Sequence, residues 1–119
     1  MKVRAWARLS RRDVSRLRKE APVAVKVLIE YKAKARRATE LADLLRELRA
    51  HAVRQPGYIS GETLTAPDDP SHRMVISTWR SVDYWNTWQA NPERAEIAQK
   101  LSELLERPAA TSVFAEAYF

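Results

Sequence analysis

The strongest constraint on the fold is a change of hydrophobic period between two neighbouring segments. In residues 24–33 apolar side chains occupy every second position, as Val25, Val27, Ile29 and Tyr31. Period two with β-branched residues predicts a strand. From Thr39, a suitable N-cap, leucines recur every three or four residues, which predicts an amphipathic helix over 39–53. The chain therefore pairs a strand and a helix at the start of one folded unit.

The later segments continue this pattern of strands and helices. The predicted elements are strands over 57–66, 73–80 and 111–119, a short helix after Ser81, and a longer helix that starts at Asn91-Pro92-Glu93. Gly61 lies inside the second strand and indicates a bulge or the close approach of another group. The order β-α-β-β-α-α-β predicts a ferredoxin-like α+β fold, a four-stranded antiparallel sheet with helices on one face.

Helices on one face leave the other face of the predicted sheet uncovered. That face should carry Leu28 together with Leu64 or Ile59. A monomer would expose this apolar surface. We therefore expect a homodimer that packs sheet against sheet about a two-fold axis through the open sheet face.

The positive charge is concentrated at the N-terminus. Residues 1–19 carry eight basic side chains against Asp13, so they contribute +7 to a net charge of +6 and leave the rest of the chain at −1. A nearly neutral body does not predict a nucleic-acid-binding domain. We expect a basic N-terminal arm over 1–22 and one domain over 23–119. The arm is interpreted as solvated or partly helical, with an acidic or membrane surface or a transit peptide as alternatives.

Several classes of protein are disfavoured by composition. No apolar run is long enough to span a membrane and the N-terminus has no apolar signal region, so we expect no membrane insertion and a cytoplasmic location. The chain has no cysteine, which excludes disulfides, zinc-thiolate sites and thiol nucleophiles. Its two glycines, Gly57 and Gly61, form no phosphate-binding motif.

Three segments carry a resemblance to a known family. They are QPGYISGETL (55–64), MVISTWRSVDYWNTW (74–88) and NPERAEIAQKLSELLERP (91–108). Together they resemble the antibiotic biosynthesis monooxygenase (ABM) family over residues 23–119. The resemblance implies a dimeric α+β barrel with a pocket between sheet and helices. Family members include cofactor-free oxygenases of hydroxyaromatic or quinol-like substrates, haem-degrading enzymes and proteins with no assigned activity.

The haem-degrading branch of the family matches poorly. Its tryptophan at the end of the third strand corresponds to Trp79, but its iron-ligating histidine would fall near Ala98, and no histidine lies between Glu93 and Arg107. Its polar Asn on the first strand also has no counterpart in residues 23–33. Haem iron needs an axial donor such as imidazole, thiolate or phenolate. Haem binding is therefore the less favoured function.

Cofactor-free oxygenation makes fewer demands on the protein, and it is the leading hypothesis. An electron-rich phenol or hydroquinone can be deprotonated and can itself reduce oxygen, so the protein supplies a dry aromatic pocket, a base and donors for the anion. The candidate bases are His51 and His72, the side chains that titrate near neutral pH. The candidate substrate-binding residues are Trp79, whose indole N–H could donate to a substrate oxygen, with Tyr58, Tyr31, Arg80 and Trp85.

Each of these residues also has a purely structural interpretation. His51 falls in the last turn of a helix, where a cation is favourable, and His72 falls in the polar loop 67–72. Trp85 and Trp88 are interpreted mainly as core anchors of a short helix. The segment DDPSH (68–72) could gather metal ligands, but a turn is favoured. The alternative function is a non-catalytic dimeric barrel that binds a small apolar ligand or a partner.

Overall fold

A computed structural model describes residues 23–117 of the chain. It contains seven elements: β1 (Val25–Lys32), α1 (Ala38–Ala52), β2 (Tyr58–Ala66), β3 (Asp69–Trp79), α2 (Val82–Gln89), α3 (Pro92–Leu104) and β4 (Ala110–Ala115). The basic arm predicted over 1–22 lies outside the described residues, as does the end of the last strand predicted over 111–119. None of the helices in the described part is both long and apolar enough to cross a membrane.

The sheet has four antiparallel strands in the order β2-β3-β1-β4. The first strand lies at its centre, with Val25 opposite Trp79 and Leu28 opposite Ile76. This arrangement confirms the predicted ferredoxin-like α+β fold. The central position of β1 explains its alternating sequence, because one of its faces must pack against helices along its whole length.

The core lies between one face of the sheet and the helices. β1 contributes Val25, Val27, Ile29 and Tyr31, all buried, which confirms the predicted alternation. The helices contribute Leu41, Leu45 and Leu48 from α1, Trp85 and Trp88 from α2, and Ile97, Leu101 and Leu104 from α3. Burial of each large apolar side chain contributes roughly 1.5–3 kcal/mol. The short α2 docks through its two tryptophans, as predicted.

The third strand begins earlier than the sequence predicts. The predicted polar loop 67–72 reduces to a turn, because β3 starts at Asp69, opposite Ala66 of β2. His72 therefore lies on a strand, opposite Lys32 of β1, and not in a loop. Pro70 is tolerated because the pairing of β3 with β1 ends at His72, so the proline lies beyond that ladder.

The opposite face of the sheet is free of helices in the described chain. Leu28 is half-buried there, and Leu64 and Phe114 remain 49% and 60% exposed. Ile59, at the irregularity where β2 pairs with β3, is 54% exposed. The predicted uncovered apolar surface is therefore present.

Candidate active site

Three aromatic rings meet beneath α2, at the open end of the hairpin formed by β2 and β3. Trp79 is the last residue of β3 and lies opposite both Val25 and Tyr58. Its ring meets the Tyr58 ring edge-on at 5.3 Å between centroids, and it lies 5.9 Å from the Trp85 ring. Trp79 is 1% exposed, and Trp85 and Trp88 are each 3% exposed. The aromatic stretch of the sequence therefore forms packed core.

The polar edge of Trp79 is satisfied inside the protein. Its indole Nε1–H donates a hydrogen bond of 3.0 Å to Ser77 Oγ, two residues earlier on the same face of β3. A buried indole N–H needs such a partner. In this arrangement the N–H is directed at Ser77 and is not free for the substrate oxygen that the sequence suggested.

Gly61 explains how Tyr58 reaches the interior. A Cβ atom at Gly61 would collide with the Tyr58 hydroxyl, so the missing side chain provides space for the phenol. This is the close approach that a glycine within a strand predicts. The backbone of Gly61 and the ring of Tyr58 thereby close one side of the aromatic cluster.

A small cavity, here called the aromatic chamber, lies inside this cluster. Its volume is about 50 Å³, and its walls include Leu45, Leu48, Tyr58, Trp79, Trp85 and Trp88. An apolar cavity of about 150 Å³ is known to hold benzene. The chamber therefore has room for a small molecule such as oxygen and not for an aromatic substrate.

A larger cavity adjoins the chamber, and we call it the outer cavity. Its volume is about 400 Å³, within the range of small-molecule sites. Its walls come mainly from β1, from α3, from the segment between α3 and β4 and from the start of β4, and include Ala98, Leu101, Ser102, Leu105, Glu106, Arg107 and Thr111. This cavity is large enough for a ring system.

The two cavities share a wall of four residues, Ile29, Tyr31, Leu48 and Arg94. Ile29 and Tyr31 reach it because both point from β1 toward the helices. The shared wall is therefore apolar except for one phenol and one guanidinium.

The guanidinium of Arg94 is held without a protein partner at Nε. Its central carbon lies 5.1 Å from the centroid of the Trp85 ring, a cation–π arrangement. The Nε atom is buried, and no described residue accepts a hydrogen bond from it. Burial lowers the pKa of Arg94, and the nearby Tyr31 opposes that shift. An unpaired buried donor on a cation is costly, so the packing around Arg94 does not by itself satisfy this side chain.

Tyr31 presents the second polar group at the shared wall. Its side chain is 3% exposed, and burial raises the pKa of its phenol to about 12, while the charge of Arg94 partly offsets the shift. The phenol therefore stays protonated at neutral pH and can donate a hydrogen bond. Desolvation stabilises the neutral form in this way because an isolated phenolate would lose its hydration.

The structure brings together four of the predicted site residues. Tyr31, Tyr58, Trp79 and Trp85 all line the aromatic chamber. Arg80 is exposed just beyond β3 and lines neither cavity.

The two histidines lie apart from this cluster. His51 lies in the last turn of α1 and faces the start of α3, where its Nδ1 lies 3.1 Å from Glu93 Oε2. His72 is on the open sheet face, with Nε2 2.6 Å from Glu30 Oε2. Neither imidazole lines the chamber or the outer cavity.

Sequence reasoning missed Arg94, although a signal for it was present. Arg94, Ile97, Leu101 and Leu104 are spaced by three or four residues, so the arginine continues the buried stripe of α3. It also lies in the first turn of that helix, where the helix dipole disfavours a cation. A cation that is both in the buried stripe and near the helix N-terminus is unfavourable for two reasons, and such a residue is a candidate for a functional role.

The residues proposed for a metal site are engaged elsewhere. The carboxylate of Asp69 pairs with Lys32 and accepts from Ser71, and His72 pairs with Glu30. Among residues 23–117 no three potential metal ligands cluster. Ala98, at the position that would carry a haem-ligating histidine, contributes only a methyl group to the outer cavity.

Solved structures with the same fold include several proteins of low sequence identity. A conserved protein from Methanosarcina mazei has a TM-score of 0.75 at 17% identity, with 85% of this chain and 100% of that chain covered. SnoaB, a cofactor-independent oxygenase from Streptomyces nogalater, has a TM-score of 0.68 at 20% identity, with 83% and 97% covered. Rv0793 from Mycobacterium tuberculosis has a TM-score of 0.73 at 20% identity, with 79% and 95% covered. These similarities establish the fold.

The sequence itself matches one family. No curated protein matches it significantly. The sequence model of the family described as antibiotic biosynthesis monooxygenase matches residues 24–100, which span β1 through most of α3. The chain belongs to the antibiotic biosynthesis monooxygenase family.

Proposed function

We propose that this protein is a cytoplasmic, homodimeric, cofactor-independent monooxygenase of hydroxyaromatic or quinol-type substrates. The observation that carries the proposal is the outer cavity of about 400 Å³, whose wall shared with the aromatic chamber holds the buried Tyr31 phenol and the side chain of Arg94. A substrate ring fits the outer cavity, and the aromatic chamber beside it is large enough for oxygen. The similarity to SnoaB supports this reading at the level of fold.

The proposed reaction needs no external reductant. A ring CH₂ of a hydroxyanthrone-type substrate loses a proton, and the resulting anion transfers an electron pair in steps to O₂ to form a C–O bond. Loss of the second hydrogen with cleavage of the O–O bond leaves a carbonyl and releases water. The carbon is oxidised by four electrons and O₂ is reduced by four, so the substrate and oxygen balance each other.

Tyr31 and Glu106 have complementary roles in this proposal. The Tyr31 hydroxyl, protonated at neutral pH, donates to the phenolate oxygen of the substrate and stabilises its charge. Glu106 supplies a carboxylate on the wall of the outer cavity, and we assign it as the proton acceptor. The buried position of Tyr31 strengthens its hydrogen bond, because little water competes for the phenol.

Oxygen consumption with defined probes tests the proposal. Purified protein with added chelator would be mixed with 1,8-dihydroxyanthrone or 1,4-dihydroxynaphthalene and followed with an oxygen electrode, with ¹⁸O₂ to trace the anthrone product. We expect uptake above the uncatalysed rate and one labelled oxygen in the new carbonyl. Trp79→Ala should enlarge the chamber and abolish uptake without dissociating the dimer, and Tyr31→Phe should lower kcat by roughly 10²–10³-fold.

The matched control is Tyr84→Phe, which removes a hydroxyl from an exposed tyrosine outside both cavities. It should leave uptake unchanged. Uptake that never exceeds the uncatalysed rate with either probe would overturn the oxygenase proposal. Unchanged uptake in Trp79→Ala would remove Trp79 from the site.

The open sheet face supports the homodimer. Leu28, Leu64 and Phe114 lie on the helix-free face of the sheet, on β1, β2 and β4 respectively, and Leu64 and Phe114 are largely exposed. A second copy brings the same apolar residues onto this face by two-fold symmetry. His72 and Glu30 contact each other on the same face beside Met74 and Leu64, where they contribute a polar patch.

One observation favours the alternative, a non-catalytic ligand-binding barrel. The predicted bases His51 and His72 lie outside both cavities, and Glu106 is exposed. In that case aromatic ligands would bind in the outer cavity and quench tryptophan fluorescence without consuming oxygen. The same titration and oxygen measurement therefore separate the two functions.

A further inference from the structure

Strand β4 is uncovered on the side of the sheet that the helices otherwise cover. The residues of β4 that share the core-facing side of β1 are Thr111, Val113 and Ala115, which lie opposite Ile29, Val27 and Val25. Val27 is 0% exposed, whereas its neighbour Val113 is 42% exposed, and every residue of β4 is exposed. The helical layer therefore stops short of β4. We call Thr111, Val113 and Ala115 the β4 strip.

The surroundings of the β4 strip favour a basic amphipathic segment as its cover. β4 is an edge strand, and proteins often cover such an edge with a helix or a loop. The strip itself is partly apolar, through Val113, and partly polar, through Thr111. The exposed Glu116 follows the strand and has no salt-bridge partner among residues 23–117. A cationic side chain beside the strip would therefore be favourable.

The segment 1–22, which lies outside the described residues, has a sequence of this kind. On a helix of 3.6 residues per turn, one half of the surface would carry the large apolar side chains Val3, Trp6, Leu9, Val14 and Leu17. The other half would carry all the arginines of the segment together with Lys19. A basic amphipathic pattern is typical of a helix that binds a membrane or a protein surface.

Two polar residues favour a protein surface over a membrane. Ser10 and Asp13 fall on the apolar half of the predicted helix. A carboxylate is costly among acyl chains. The free edge of β4 offers backbone N–H groups, and Thr111 offers a hydroxyl, so the strip can donate hydrogen bonds to such a carboxylate.

The point of attachment places the segment beside the β4 strip. Residue 24 accepts a hydrogen bond of 3.0 Å at its carbonyl oxygen from the backbone N–H of Glu116, at the end of β4. Pro22 ends a preceding helix, so the chain can turn before it enters β1. A helix of about 20 residues spans about 30 Å, and the six residues of β4 span about 20 Å. The segment is therefore long enough to run back along the whole strip.

We propose that residues 1–22 form an amphipathic helix that docks on the β4 strip of the same chain. Val14 and Leu17, near the attachment point, pack against Val113, and the arginines face solvent. This inference concerns a surface that the oxygenase proposal does not use, and it gives the basic segment a binding site on its own domain.

Engineered cysteine pairs test the docking in the full chain, which contains no native cysteine. The test pair is Leu17→Cys with Val113→Cys. The matched controls are Ser15→Cys and Lys19→Cys, each with Val113→Cys, since positions 15 and 19 flank Leu17 in the chain but lie on the opposite half of the helix. With oxidised glutathione, the test pair should form an intramolecular disulfide at least roughly tenfold faster than either control, because docking brings only position 17 within disulfide reach.

Amide hydrogen exchange of the cysteine-free chain provides a second test. Val113→Lys places a charge in the β4 strip that repels the basic segment. Peptides from residues 1–22 should therefore exchange at least roughly tenfold faster than in the wild type. Val53→Lys is the matched control, because Val53 is similarly exposed, at 47%, but lies at the end of α1. It should leave their exchange unchanged.

Each outcome supports or overturns docking within one chain. Equal rates of disulfide formation in the three pairs would overturn it, as would unchanged exchange in Val113→Lys. A disulfide that joins two chains would overturn it in favour of a second copy. Equal rates together with co-sedimentation of the wild type with phosphatidylglycerol vesicles would assign the segment to an anionic membrane instead. Oxygen uptake enters none of these measurements, so the oxygenase proposal is tested separately.

Discussion

The indole N–H of Trp79 donates its hydrogen bond to Ser77, 3.0 Å away on the same strand, so the most buried aromatic residue of the site is satisfied by its own chain. Residues two apart on a strand point to the same face, which is why so short a sequence separation can provide the partner. Trp79 therefore acts as a fixed wall of the chamber, and Tyr31 and Arg94 are the polar side chains of the wall that the chamber shares with the outer cavity.

Ser77→Ala should lower the free energy of unfolding by about 1–3 kcal/mol, because it leaves the buried indole N–H without an acceptor. Urea unfolding followed by tryptophan fluorescence measures the loss. Ser60→Ala, at an exposed position of β2, is the matched control and should change stability little. Equal stability of the Ser77 variant and wild type would show that the hydrogen bond is dispensable.

Gly61→Ala tests the packing of Tyr58. At an unhindered position this substitution stabilises by about 0.4–1 kcal/mol, because alanine restricts the unfolded chain. Here the new methyl group collides with the Tyr58 hydroxyl, so we expect destabilisation, with loss of the edge-on contact to Trp79, which is worth about 0.5–1.5 kcal/mol.

The control for this prediction is the same substitution in a Tyr58→Phe background. Without the hydroxyl, the methyl group has room and the usual stabilisation by alanine should reappear. Urea unfolding of the wild type, Gly61→Ala, Tyr58→Phe and the double variant completes a double-mutant cycle. If Gly61→Ala destabilises by the same amount in both backgrounds, the collision with the hydroxyl is not its cause.

The sequence was sufficient for the fold because its local patterns agree with its tertiary arrangement. The alternation of Val25, Val27 and Ile29 requires one buried sheet face, and β1 is central in the sheet. Asn91 caps α3 as predicted, with its side chain accepting from the backbone N–H of Glu93 at 2.8 Å. The early start of β3 was not predictable locally, because Asp69 and Pro70 are turn-forming residues whose strand pairing is determined by β1 and β2.

The site was only partly accessible from sequence. The position of Trp79 at the end of a strand identified it as a candidate wall, and Tyr58 was a candidate because its phenol could serve as an anion or proton partner. Whether a histidine enters a cavity depends on which side of a helix or strand it occupies, and His51 faces the start of α3 while His72 lies on the open sheet face. Arg94 was hidden because arginine in a helix is usually solvated, and its burial follows from the contact between α3 and the ring of Trp85.

A charge on the open sheet face should separate the proposed dimer. In a two-fold interface Leu64→Lys places two like charges in an apolar contact, so light scattering should report the mass of a single chain where the wild type gives twice that mass. Val53→Lys is the matched control, because Val53 is similarly exposed, at 47%, but lies at the end of α1. A wild-type protein of single-chain mass would contradict the dimer.

Tyr31 should make stability fall at alkaline pH. Its pKa is raised from 10.0 to about 12, so the folded protein binds the phenol proton more tightly than the unfolded chain does. The resulting stabilisation is complete below about pH 10 and is lost as pH rises from 10 toward 12, with a magnitude on the order of 2–3 kcal/mol.

Urea unfolding between pH 8 and pH 11 would show a smaller alkaline loss of stability in Tyr31→Phe than in wild type. Tyr84→Phe, the exposed control, should keep the wild-type dependence of stability on pH. Equal slopes for Tyr31→Phe and wild type would mean that the buried phenol titrates normally, and Tyr31 would then lose its assignment as a donor held in the protonated form by its surroundings.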